Sequence, residues 1–228
     1  MRNLTLCDIQ LHPSTVTSAF EQAMVEDVLP HAGDPDQPPE TPFVRTVYAA
    51  QDQPFPPLYR CVADSTWVTD AGFFRMGDRI RELGADPGEV RFRLLAGNLP
   101  DDKEALRVLR SGTYRTMVMV AIHLPFGQDE HAFEQALSAA LKDVVGRLTR
   151  VNNIVAAFWT KDDKVVPGNT EYLVAALGDF MEPELSSDTL ALLRAAGGTI
   201  AESRAWGRIG TVPGPGPALN PGQGLTAP

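Results

Sequence analysis

Basic residues are scarce in this chain. Lys and Arg number 20 against 29 Asp and Glu, giving a net charge of −9 and a pI near 4.9. Phosphate binding needs a basic face, so no nucleic-acid partner is expected. Cysteine is scarcer still. Cys7 and Cys61 are the two present, with no CxxC and no Cys/His cluster. That leaves no disulfide scaffold and fits a reduced, cytoplasmic protein. No apolar run approaches the roughly 20 residues of a membrane span. Asp8 and Gln10 interrupt the stretch after Arg2, so no signal peptide is expected either. No glycine-rich phosphate loop, nucleophile elbow or Ser-His-Asp order is visible. Four histidines occur, none paired at metal-ligand spacing, so no metal is expected.

What the chain does contain is a repeat. Ala19-Phe20-Glu21-Gln22-Ala23 returns as Ala132-Phe133-Glu134-Gln135-Ala136, and 132 − 19 = 113. The same offset links Ile9 to Ile122, Tyr59 to Tyr172, Gly84 to Gly197, Arg91 to Arg204 and Gly97 to Gly210. A fixed period decides architecture before any local pattern does. It predicts a first unit at 1–100, a linking helix at 101–113 and a second unit at 114–211. A Pro/Gly-rich tail at 212–228 carries too little apolar material to fold.

Within each copy the pattern predicts strand, helix, two strands, helix, strand. Residues 3–12 carry apolar groups on both faces, as a strand covered on both sides does. A helix to about Leu29 follows, with Ser14 or Ser18-x-x-Glu21 as cap. Strands at 43–50 and 58–64 flank a proline-rich turn, and a helix stops at Gly84. The second copy repeats this, with Asp129 and either Ser187 or Ser186 as caps and Gly197-Gly198 as stop.

A β-α-β-β-α-β unit is the ferredoxin-like split βαβ, with helices on one face of its antiparallel sheet. The fold class is therefore α+β: two tandem ferredoxin-like units whose sheets pack into one barrel. Over residues 2–211 this order and its duplication resemble the dimeric α+β barrel superfamily. That superfamily includes antibiotic-biosynthesis monooxygenases, EthD-like proteins, polyketide cyclases and the fused chlorite-dismutase-like haem proteins. The resemblance implies a small-molecule pocket between sheet and helices. It also implies oxygenation or cyclisation of an aromatic or polyketide-like substrate without a cofactor. A haem held by one histidine is a lesser implication.

Positions where the copies differ are where one half can specialise. Asp8, Gln10 and His123 interrupt an otherwise apolar face of each first strand. A buried polar group is costly unless paired, so each is either bonded within the core or lines a cavity. An imidazole at 123 can serve as a general base, and Asp8 is the second candidate. Trp159 replaces Thr46 and Trp206 replaces Arg93 at the offset of 113. With Met119 these rings form a candidate wall for a planar apolar ligand. Tyr172 and Arg204 are candidate donors to an oxyanion, though both recur in copy one, as core or ion-pair residues would. Two readings stay open: a cofactor-independent monooxygenase or cyclase, and a non-catalytic binding or structural protein. Either acts alone as a fused barrel or as a homodimer.

Overall fold

Apolar alternation and helical spacing place the elements close to where the sequence puts them. The computed structural model describes residues 3–31, 44–52, 54–65, 70–95, 114–148, 154–162, 169–179 and 187–213. The first copy opens with β1 (Asn3–Leu11), α1 (Thr17–Ala23), a π-helical stretch (Met24–Val28) and a last turn, α2 (Leu29–His31). It continues with β2 (Val44–Ala50), β3 (Leu58–Ser65), α3 (Asp70–Glu82) and β4 (Ala85–Leu95). The second copy has β5 (Thr116–Pro125), α4 (Glu130–Leu148), β6 (Ile154–Asp162), β7 (Asn169–Gly178), α5 (Ser187–Ala195) and β8 (Thr199–Pro213). Among the described residues the fold is α+β and antiparallel, with eight strands, as expected. The expected linking helix at 101–113 and the tail beyond Pro213 lie outside the described residues.

The helix punctuation follows local chemistry. Gly84 and Gly197 follow α3 and α5 with φ of 79° and 90°, a backbone region that glycine enters without steric cost. The Asp129 carboxylate accepts from the amides of His131 (3.0 Å) and Ala132 (3.1 Å), capping α4. The expected serine cap of α1 does not form. Val16 is its N-cap residue and no side chain bonds the free amides there.

The chain divides into two compact units. Unit one holds Met1–Ala49, Gln53–Arg91 and Arg208–Pro228; unit two holds Ala50–Asp52 and Phe92–Gly207. The division thus falls inside β4 and inside β8 rather than only between the copies. Backbone pairing explains the first break, because Arg93, Leu94 and Leu95 pair with Asp162, Lys161 and Thr160 of β6. The second break follows from Thr211, whose hydroxyl lies 3.0 Å from that of Thr46, and from Gly210, packed under Val25. Strand order is β4-β1-β3-β2-β8 in unit one and β8-β5-β7-β6-β4 in unit two.

Each unit packs its helices on one sheet face. In unit one Cys7, Ile9, Leu11, Val47, Tyr59 and Cys61 meet Phe20, Met24, Val28, Met76 and Ile80. In unit two Val118, Val120, Ile122, Trp159, Tyr172 and Val174 meet Phe133, Leu137 and Leu141. Burying each such side chain contributes about 1.5–3 kcal/mol. The two cores share one signature. Phe20 tilts against Tyr59 with centroids 5.0 Å apart, and Phe133 against Tyr172 at 4.9 Å. The Tyr59 hydroxyl donates to Glu21 at 2.8 Å and that of Tyr172 to Glu134 at 3.1 Å.

One strand breaks the uniform offset. Val47 pairs with Cys61, whereas Trp159 pairs with Val174, the counterpart of Cys61. Trp159 therefore stands where Val47 stands, and 159 − 47 = 112. From Ala156 to Lys161 each residue of β6 shifts one place relative to the sequence repeat. In a strand that exchanges the two faces.

Cys7 and Cys61 are cross-strand partners, both free and both buried. Burial, then the negative charge of Asp8, pushes the Cys7 thiol up to about 11. Burial raises Cys61 as well. The thiolate is the nucleophile, so a disulfide-exchange reagent at pH 8 should find no reactive thiol in the folded chain and two after denaturation. Rapid labelling of the native protein would contradict this packing. Because both folded values are raised, the stability they confer is complete below about pH 9 and is lost as pH rises toward 11.

Candidate functional site

The alternation of β5 and β7 separates two sets of side chains in unit two. Val118, Val120, Ile122 and Leu124 face the helices, with Tyr172, Val174 and Ala176. Met117, Met119 and His123 face the other way, with Glu171, Leu173 and Ala175. This second face is also largely buried, with Met117, Met119, Leu173, Ala175 and Trp206 exposed by no more than 4%.

The candidate residues divide between the two faces. Trp159 lies on the helix side, 1% exposed, its indole N–H donating to Ser138 Oγ at 3.0 Å. Its ring meets Tyr172 with centroids 5.6 Å apart. The one-residue shift along β6 put it there, so Trp159 is not beside Met119 and Trp206. Tyr172 is equally engaged. Its hydroxyl bonds Glu134, and Lys161, itself paired with Glu130 and Glu134, sits 5.9 Å from its ring. Burial and the Glu134 charge raise that phenol far above its ordinary value.

Asp8, on β1 of unit one, is held by two arginines. Arg60 engages both its carboxylate oxygens, with Nη2 at 2.9 Å, and Arg91 Nη2 adds a third bond at 2.9 Å. Asp8 is the anion of an ion cluster, with both oxygens occupied. Gln10 donates to the carbonyls of Pro56 and Pro57 at 2.6 and 3.0 Å. Arg204 pairs with Asp52 at 3.2 Å and Glu202 at 3.6 Å, and lies 5.7 Å from the Trp206 ring.

His123 is placed differently. It sits on β5 directly across from Glu171 of β7, its imidazole Nε2 3.1 Å from Glu171 Oε2. The other Glu171 oxygen pairs with Arg93 Nη2, and Arg93 Nη1 donates to the Glu171 carbonyl at 3.2 Å. Exposure grades along the series: 43% for the His123 side chain, 28% for Glu171, none for Arg93. A carboxylate bound to a guanidinium is an acceptor, so Nε2 is the imidazole donor, which in the neutral ring leaves the lone pair on Nδ1. A His–Glu–Arg series of this kind can hold an imidazole in one orientation, by the logic of carboxylate-held histidines. The register of β5 against β8 shifts between Ala121 and Ile122, one residue before His123. Irregularities of this kind re-aim a side chain.

Glu171 and Arg93 were absent from the sequence-based candidates. The signal for Glu171 was present, since it replaces Leu58 at the offset of 113. Arg93 carried no such signal, because its role depends on the tail of β4 pairing with β6.

The helix-facing space of unit two, where the resemblance implies a pocket, is filled by Trp159, Tyr172, Phe133, Leu137 and Leu141. His131, on the first turn of α4, is exposed and hydrogen-bonded to Gln135. The residues there do not fit a haem. Among the described residues, no three His, Cys, Asp or Glu side chains group as a metal site. No described helix is long and apolar enough to cross a membrane.

The elements and their antiparallel pairing define a ferredoxin-like α+β fold. No family model matches the chain, and no curated protein does. Solved structures do. An anthrone oxidase-like protein shares 12% identity at a TM-score of 0.53, over 92% of this chain and 93% of that one. A protein taken to be a monooxygenase from Fusobacterium nucleatum shares 5% at 0.52, over 92% and 93%. A chlorite dismutase variant from Candidatus Nitrospira defluvii shares 9% at 0.54, over 91% and 90%. Identities this low establish the fold alone.

Proposed function

We propose that this chain is a cofactor-independent oxygenase acting on a planar aromatic or polyketide-like small molecule, with His123 as its base. The observation that carries this reading is the His123–Glu171–Arg93 series, one end open to solvent and the other buried. In chemical terms His123 Nδ1 takes a proton from an acidic carbon of the substrate. The resulting enolate or phenolate gives its electrons to dioxygen, and a hydroperoxide forms at that carbon. Its O–O bond then breaks with loss of water, leaving a carbonyl. The balance is one CH2 and one O2 giving one C=O and one H2O. The same deprotonation also initiates cyclisation or isomerisation.

An anthrone has such a carbon, and the likeness to an anthrone oxidase-like protein makes it the first compound to try. The purified chain should consume one dioxygen per anthrone converted to quinone, above the rate in buffer. No acceleration with anthrone or related hydroxylated ketones would reject the oxygenase reading. It would favour the second reading, a non-catalytic binding or structural protein, which the filled helix-facing cores of both units support. We take the chain as cytoplasmic and as acting alone or as a homodimer.

A further inference from the structure

Correct register exposes a contrast between the copies that the uniform offset hides. In unit one Tyr48 of β2 lies across from Arg60 of β3, and Arg60 across from Asp8 of β1. The equivalent row in unit two is Thr160 of β6, Leu173 of β7 and Ala121 of β5. At every place the unit-two residue is smaller, and at two of three its charge is gone. This row lies on the face of His123, because Thr160 alternates with the helix-facing Trp159, and Leu173 and Ala121 with Tyr172 and Ile122. It sits one step along the strands from His123 and Glu171.

A second observation singles out Thr160. It is fully buried, and its hydroxyl has no hydrogen-bond partner among the described residues. A buried hydroxyl without a partner is a standing cost that valine, of the same shape, would not carry. Tyr48 fills the corresponding place in unit one with a ring.

We infer that Thr160 is the specificity-determining hydroxyl of this site, donating to a carbonyl or phenolate oxygen of a substrate seated over Ala121 and Leu173. This rests on the proposed function and deepens it: the substrate must carry an acceptor oxygen on the part of its ring system remote from His123. Thr160 touches the substrate without entering the proton transfer.

The test is anaerobic equilibrium binding, so that no turnover intervenes. Its probes are anthrone and 9,10-dihydroanthracene, which has the same carbon skeleton without the oxygen. Wild type should bind anthrone more tightly. Thr160→Val should weaken anthrone roughly fivefold, the scale of one hydrogen bond, and leave dihydroanthracene unchanged. Thr160→Ser, which keeps the hydroxyl, should retain anthrone affinity. The valine variant should unfold no earlier than wild type. Equal anthrone affinity in wild type and Thr160→Val, or equal weakening of both probes, overturns the inference. The two readings fail separately. Oxygen uptake with an unaltered binding ratio sinks Thr160 alone, whereas selective weakening without any uptake sinks the oxygenase alone.

Discussion

His123→Ala should lower oxygen-dependent turnover by about 10²–10⁴-fold, the range for removing a positioned general base. Anthrone binding should stay near wild type, because the imidazole serves the proton rather than the ring. Glu171→Gln should fall between the two, since an amide keeps the shape of the side chain but can present its N–H2 to Nε2 and reverse the tautomer. The fold should tolerate the alanine well, as the His123 side chain is 43% exposed. Steady-state oxygen consumption on the two variants and wild type decides the matter. An unaltered rate in His123→Ala would remove the residue from the chemistry and with it the base that the proposal needs.

Trp159→Ala should cost about 3–5 kcal/mol of stability, the range for truncating a buried tryptophan. The ring is 1% exposed, packs on Tyr172 and bonds Ser138. Truncation therefore opens a cavity and leaves the Ser138 hydroxyl without its partner. Denaturant unfolding monitored by the far-ultraviolet signal gives the number directly. Trp159→Phe should cost less and keep the rate per folded molecule. A substrate wall would behave in the opposite way, losing affinity while keeping stability, and such a result would return Trp159 to the site.

The history of Trp159 shows where sequence reasoning reached and where it stopped. The repeat was legible because Phe20, Glu21 and Tyr59 recur as Phe133, Glu134 and Tyr172 and make the same contacts in both cores. Cores constrain residue type closely, so packing leaves a readable trace. The side of the sheet that Trp159 occupies is not legible from the repeat, because a strand has a period of two and one residue of slip exchanges its faces. Nothing local in Ala157-Phe158-Trp159-Thr160 signals that slip; it appears only in the pairing of Trp159 with Val174. His123 stands out in the sequence because it interrupts an otherwise apolar face of its strand. Asp8 stood out for the same reason, yet its meaning depended on Arg60 and Arg91 across the sheet. Polar residues in strands are easy to notice from sequence, but their partners are set by register.

The division of the units inside β4 has a consequence for ancestry. Arg93 is encoded by the first copy, yet the carboxylate it neutralises, Glu171, is encoded by the second. A half-length ancestor could have held this Arg–Glu–His series only as two chains, each lending the other the end of a strand. The two copies differ at this place, one carrying Arg93 where the other has Trp206.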